Sequence, residues 1–123
     1  MDYSLIIRRA APTEEDVNAI RSVMLDAFEK YKLDTNLEGS MAALEETYED
    51  IYNDIVNKYV YICFVDGVPV GSIRVDINKE KRTAYISRFG VCRGYQNIGI
   101  GKSFMNLVDK LLMSKGVKRA MLH

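Results

Sequence analysis

No stretch of the 123-residue chain holds the run of about 20 apolar residues that a membrane-spanning helix needs. Neither sign of charge is in excess, with 17 Lys and Arg against 17 Asp and Glu. A nucleic-acid binder is basic, so that balance argues against nucleic acid as a partner. Cysteine is scarce. Cys63 and Cys92 form no CxxC or Cys/His set, so no metal is expected, and both read as small reduced packing residues. The first residues, MDYSLIIRRAAPTEED, have no basic lead and only a three-residue apolar run. No signal peptide is expected there, and the expected compartment is cytoplasmic.

What is present suits one ordinary globular domain over residues 1–123, with 48% hydrophobic and 28% charged residues. Tyr3, Leu5 and Ile7 alternate with Ser4 and Arg8, apart from Ile6, which predicts a strand. Thr13 then caps a helix whose first turn is acidic at Glu14, Glu15 and Asp16. Val17, Ile20, Met24, Ala27, Phe28 and Tyr31 fall on one face of it. Ser40 is a candidate cap for a second helix, with Met41, Leu44, Tyr48, Ile51, Tyr52 and Ile55 as its apolar face. The period then changes. YVYICFV, Tyr59 to Val65, is β-branched and aromatic and predicts a strand, and Asp66-Gly67 predicts a hairpin turn. VPVGSIRVDI and TAYISRFGV follow as strands, separated by a charged turn, NKEKR. Phe104, Leu107, Val108, Leu111 and Leu112 mark a helix that Gly116 ends, and VKRAMLH begins a last strand. The order is β-α-α-β-β-β-α-β. The middle strands are joined by short turns and should be antiparallel, while the last follows a helical crossover and should be parallel to its predecessor.

The stretch VCRGYQNIGIGKSF, Val91 to Phe104, sits where a strand hands over to a helix. A Walker A loop would need glycine where Gln96 stands, and it belongs to parallel sheets. A dinucleotide fingerprint would need glycine where Phe104 stands. The remaining pattern is Q/R-x-x-G-x-G/A, met as Gln96, Asn97, Ile98, Gly99, Ile100 and Gly101. A helix's first turn offers unpaired N–H groups and a positive dipole end to a phosphate. Gly99 and Gly101 lack Cβ atoms that would hold phosphate oxygens off the backbone, and either can take a positive φ.

Here the sequence resembles the GNAT superfamily of acyl-CoA-dependent N-acetyltransferases. IIRRAAPTEED is similar to that family's first strand and helix start, VDGVPVGSIRV to its second hairpin, and FGVCRGYQNIGIGKSF to its V-x-P-x-Y-R-G-x-G-I-G-x-x-L stretch. Arg93 stands where proline is common, and Asn97 where glycine often is. The resemblance implies an α/β (α+β) mixed sheet, mostly antiparallel, with a parallel and splayed fourth and fifth strand. It implies acetyl-CoA as co-substrate, its pyrophosphate held by Gln96 to Gly101 with Lys102 and Ser103. It implies that Phe89, Gly90 and Val91 meet the pantetheine, and that the Val91 N–H is a candidate polariser of the thioester. Gly90 inside a strand has two readings, a close ligand approach or a bulge.

The family usually continues past the fifth strand with a helix bearing a Tyr that protonates the leaving thiolate. All eight Tyr here precede Gln96, so none matches it. Ser87 stands where the family's fourth strand often carries an acid. Glu38, Glu45 and Glu46 near the helix–helix turn read as solvated, and His123 as exposed. The expected function is acetyl transfer to an amine of a small molecule or peptide by direct attack. The alternatives are a CoA-binding module with little or no turnover, and an unrelated α/β binding protein. The last strand offers an unpaired edge, so a homodimer through it is expected.

Overall fold

The structure, a computed structural model, describes residues 3–34 (side chains to Glu29) and 45–122. Five strands form one sheet in sequence order: β1 (Leu5–Arg9), β2 (Tyr59–Val65), β3 (Val68–Asn78), β4 (Thr83–Val91) and β5 (Arg119–Leu122). The first four are antiparallel in succession, and β5 runs parallel to β4 from Thr83↔Arg119 to Ile86↔Leu122. A divergence of the pair beyond Ile86 would involve His123, which lies outside the described residues. Among the described residues three helices pack on the sheet: α1 (Glu14–Asp34), α2 (Tyr48–Asn57) and α3 (Ile100–Ser114).

Local chemistry accounts for the boundaries. Asp66 and Gly67 both take positive φ, 50° and 82°, as the twist of a two-residue hairpin requires. Thr13 Oγ1 accepts the Asp16 N–H at 3.2 Å, so α1 starts where its sequence predicts. At the other end of the chain, Gly116 adopts φ 67°, and Val117 N–H returns to Leu112 O at 3.0 Å, closing α3 with a left-handed cap.

The second helix differs from its expectation. Its cap is Thr47, which accepts the Asp50 N–H while the Asp50 carboxylate accepts the Thr47 N–H. Ser40, Met41 and Leu44 lie outside the described residues. Ile51 and Ile55 are the buried side chains of α2, whereas Tyr48 and Tyr52 stack on each other at the surface, 6.5 Å between ring centroids.

The core has two parts. Cys63, Val75, Ala84, Ile86, Phe104 and Val108 pack between the sheet and α3. Val17, Ile20, Val23, Met24, Ile51 and Ile62 pack between the sheet and the other two helices. Both faces of β3 are therefore covered, and Ser72 and Arg74 are as inaccessible as Ile73 and Val75.

Candidate active site

The third and fourth strands lose register at one place. Ser72 pairs with Gly90 and Arg74 with Ser87, so the single residue Ile73 faces both Arg88 and Phe89. This is a β-bulge, and Arg88 takes φ 52° to make it. The extra residue leaves Arg88 on the same side as Ser87, and ordinary alternation then puts Phe89 on the other. Phe89 packs edge-on against Phe104 of α3, 6.0 Å between centroids, while Arg88 Nε lies 3.5 Å from Glu46 Oε2 on the α2 side.

Next to the bulge the strand edge opens. Cys92 N–H bonds Val70 O at 2.8 Å, which makes Val91 and Gly71 a non-hydrogen-bonded pair. The N–H and C=O of Val91 therefore point away from β3, toward the side of β4 on which β5 pairs. Gly90 has a packing reason that sequence alone did not reveal. A Cβ there would lie 3.0 Å from Ala27 Cβ, Met24 Cε and Phe28 Cε2, so glycine lets α1 sit directly on the strand. The bulge is present as well, centred on Arg88 and Phe89.

The loop then passes through left-handed conformations at Gly94 (φ 89°), Asn97 (φ 70°) and Gly99 (φ 88°), the last two on either side of Ile98. Alternating handedness turns successive N–H groups to one side, an arrangement suited to anions. Gly99 is the N-cap of α3 and provides no side-chain cap. The first intrahelical bond is Ser103 N–H to Gly99 O at 3.0 Å, so the N–H groups of Ile100, Gly101 and Lys102 have no acceptor within the helix. The two glycines differ in role. Gly99 needs its positive φ, whereas a Cβ on Gly101 would meet Phe89 Cζ at an ordinary 3.5 Å.

These parts enclose a cleft of about 500 Å³. Phe89, Gly90 and Val91 form its floor, Gln96 and Asn97 its loop side, and Gly99, Ile100 and Gly101 the helix end. Ile98, Lys102 and Ser103 are not among the lining residues. Ile98 packs against the core on the α3 side, and Lys102 is exposed. Tyr95 of the loop and Ala27 and Phe28 of α1 complete the wall, and sequence reading had not singled them out for it. The helix contribution is a tertiary contact with no local signature, but Tyr95 stands directly beside the loop motif. Among the described residues none that lines the cleft is acidic, so the donor set fits a diphosphate-bearing ligand such as CoA.

A second cleft of about 540 Å³ lies on the α2 side and is lined by Glu45, Glu46, Asp50, Asp54, Lys58 and Arg88 among others. Behind it Arg74 is fully buried. Its Nη1 meets Glu46 Oε2 at 2.6 Å and Asp54 Oδ2 at 2.7 Å, and its Nη2 meets Glu46 Oε1 at 2.8 Å. Burial works against the Arg74 charge, but the two carboxylates outweigh it and hold its pKa above the ordinary value. Glu46 is thus not the solvated residue its sequence context suggested, because its side chain is only 9% exposed and both its oxygens are taken by Arg74. Glu38 and His123 lie outside the described residues. Burial pushes the thiols of Cys63 and Cys92 up to about 11, with Asp26 adding to the shift at Cys92, so neither is a thiolate at neutral pH.

Among curated protein sequences none matches this one significantly. Among solved structures, the fold is similar to the PaiA N-acetyltransferase of Thermoplasma acidophilum in complex with coenzyme A, with TM-score 0.83 and 22% identity over 97% of this chain and 78% of that one. It is similar to an aminoglycoside acetyltransferase from an uncultured soil metagenomic sample in complex with sisomicin, with TM-score 0.71 and 20% identity over 97% of this chain and 76% of that one. A GNAT-family acetyltransferase of Streptococcus pneumoniae aligns with TM-score 0.72 and 16% identity over 97% and 73% of the two chains. At these identities the neighbours establish the fold. The sequence itself matches the acetyltransferase (GNAT) family over residues 20–123, a span that includes the bulged strand, the left-handed loop and the helix end just described. This chain belongs to the acetyltransferase (GNAT) family.

Proposed function

We propose that this chain transfers an acetyl group from acetyl-CoA to an amine by direct attack, the two substrates entering from opposite sides of the β4 bulge. One observation carries this reading: adjacent residues of one strand, Arg88 and Phe89, open on two different clefts. The cleft at Phe89 has outward backbone groups, a left-handed loop and free helix N–H groups. Gln96 to Gly101 would hold the diphosphate, with Lys102 and Ser103 at its margin, and Phe89 to Val91 the pantetheine. Acetyl-CoA, when bound there, supplies an activated acetyl thioester. The Val91 N–H is the donor this chain offers to the thioester carbonyl, an oxyanion-type contribution. The amine nitrogen forms the new bond to the acetyl carbon, the carbon–sulfur bond breaks, the thiolate leaves, and the ammonium proton passes to solvent.

The cleft at Arg88 suits the acceptor. Its four carboxylates outnumber Lys58, Arg88 and the Arg74 behind them, which favours a cationic amine over an anionic acceptor. A small-molecule amine is in keeping with the sisomicin complex of one structural neighbour, and a peptide amine is the other form. No nucleic acid, membrane or metal is part of this reading, and a cytoplasmic setting goes with it. No helix of the described residues is long and apolar enough to cross a membrane.

A second reading, a CoA-binding module with weak turnover, is favoured by one feature: β4 carries no carboxylate to take the amine proton. Release of free thiol from acetyl-CoA with a panel of amines separates the two. Transfer is expected with cationic amines, at a rate below the enzyme median of about 10 per second, since a placed acid or base is commonly worth about 10²-fold or more. Thiol release with no amine of the panel would leave the binding module.

Self-association completes the proposal. Among the described residues β5 pairs only with β4, and Met121 and Leu122 are 49% and 73% exposed. A second copy pairing along that edge would cover both. Light scattering at micromolar concentration should give a dimer that Met121→Pro dissociates, and a monomeric wild-type chain would refute it.

A further inference from the structure

The loop between β4 and α3 is held by groups that belong to neither element. At its start, Asp26 of α1 accepts the Arg93 N–H on Oδ2 at 2.7 Å, and its Oδ1 lies 3.7 Å from Arg93 Nη2. At its end, the Tyr3 hydroxyl donates to Ile98 O at 3.1 Å, reaching from the residues before β1. Between these points the loop makes one internal bond, Tyr95 N–H to Cys92 O at 3.1 Å.

Each tether fixes a direction that matters for the cleft. A trans peptide sets its C=O and N–H on opposite sides. Holding Ile98 O toward Tyr3 therefore fixes the direction of the Gly99 N–H, at the left-handed residue that lines the cleft. Asp26 is followed by Ala27 and Phe28, which line the same cleft. One turn of α1 thus forms a wall and grips the start of the loop. Asp26 itself is not among the residues that line the cleft, and its carboxylate faces Arg93.

We propose that Asp26 and Tyr3 are positioning residues of the CoA-binding loop, holding its N–H donors in the binding arrangement before the ligand arrives. The inference rests on the CoA reading above and deepens it. Preorganisation lowers the ordering cost of binding, so removing a tether lowers affinity without removing any contact to the ligand.

Calorimetric titration with CoA, and NMR titration with pantetheine, which has no diphosphate, test the idea. Asp26→Ala should weaken CoA binding about tenfold, the worth of one good hydrogen bond, and leave pantetheine binding unchanged. Asp26→Asn keeps an oxygen for the Arg93 N–H and sheds the charge, so its CoA affinity should equal or exceed that of the wild type. Tyr3→Phe, a mild change at a half-exposed site, should weaken CoA a few-fold and likewise spare pantetheine. Wild-type protein that fails to bind CoA would overturn the underlying reading instead. Wild-type binding with undiminished affinity in Asp26→Ala and Tyr3→Phe would overturn the positioning roles alone. So would equal losses for CoA and pantetheine, or an Asp26→Asn variant as weak as Asp26→Ala.

Discussion

Against α3 the sheet presents Val75, Ala84 and Ile86, and Phe104 closes over them. Against α1 and α2 the same strands present Ser72, Arg74 and Gly90. All of these positions are buried. On the first, burial follows from alternation, and any side chain of the right size and polarity fills the space. On the second, the interior is set by particular pairings: two carboxylates for one guanidinium, and a missing Cβ for three helix atoms. The α3 face gives the strand stiffness behind the proposed thioester site. The other face fixes which way β4 bulges and where Arg88 points.

The largest effects should come from removing the anchor of each face. Phe104→Ala and Arg74→Ala should each cost about 3–5 kcal/mol in urea unfolding, the first by leaving a cavity and the second by orphaning buried carboxylate partners as well. The faces should then part company. Replacing Arg74 and Glu46 together by apolar residues of similar volume should cost less than Arg74→Ala alone. A double replacement as costly as the sum of its parts would mean that the ion network is not what fills that face.

Gly90→Ala comes next. Its Cβ would sit 3.0 Å from three α1 atoms, so about 1–3 kcal/mol of overpacking is expected.

Asp16, also on the α1 side, is buried and accepts from both Arg8 Nη groups at 2.7 and 2.8 Å and from the Ala11 N–H at 2.7 Å. The Arg8 hydrogen bonds outweigh burial and hold its carboxyl below the ordinary 3.8. Because the folded pKa is depressed, its contribution is fully present above the unfolded value. That contribution is lost as pH falls below about 4 through the folded one. Asp16→Asn should cost about 1–2 kcal/mol at pH 7, with Arg8 half exposed and the pair partly screened. It should also flatten the acid limb of a stability–pH curve. An unchanged acid limb would assign the acid sensitivity to other carboxylates.

The smallest stability effect is of opposite sign. Gly101 has an ordinary helical φ and room for a Cβ, so Gly101→Ala should stabilise the fold by about 0.5–1 kcal/mol.

The contrast between the faces also decides how much was legible in the sequence. The strand order, the Asp66-Gly67 turn, the α3 stripe of Phe104 and Val108 and the Gly116 stop all follow from local pattern. Gln96 to Gly101 stood out because the stretch follows this strand order and resembles the loop that the GNAT family places there; the two glycines alone would read as a tight turn. Eight of the eleven residues named for the CoA site line a single cleft. The rest depended on contacts between distant segments. Met24, Ala27 and Phe28 meet β4 only in three dimensions, so neither the reason for Gly90 nor the helix wall of the cleft has a sequence signature. Arg74 alternates with Ile73 and Val75 like any surface residue of a half-covered strand, and only the docking of α2 buries it. The Thr47–Asp50 box is readable as Thr-x-x-Asp, but the apolar spacing of Met41 and Leu44 points the helix start to Ser40.

The central claim is that the cleft between β4 and the N-terminus of α3 binds CoA. Thermal unfolding with and without CoA, on wild type and Gly101→Leu, tests it most directly. Leucine at 101 needs no strained backbone and would project into the cleft past Phe89, so the variant should fold. At 100 times its dissociation constant CoA should stabilise the wild type by about 2.7 kcal/mol, and Gly101→Leu should lose that stabilisation. No shift at millimolar CoA, or an equal shift in both proteins, would contradict the account.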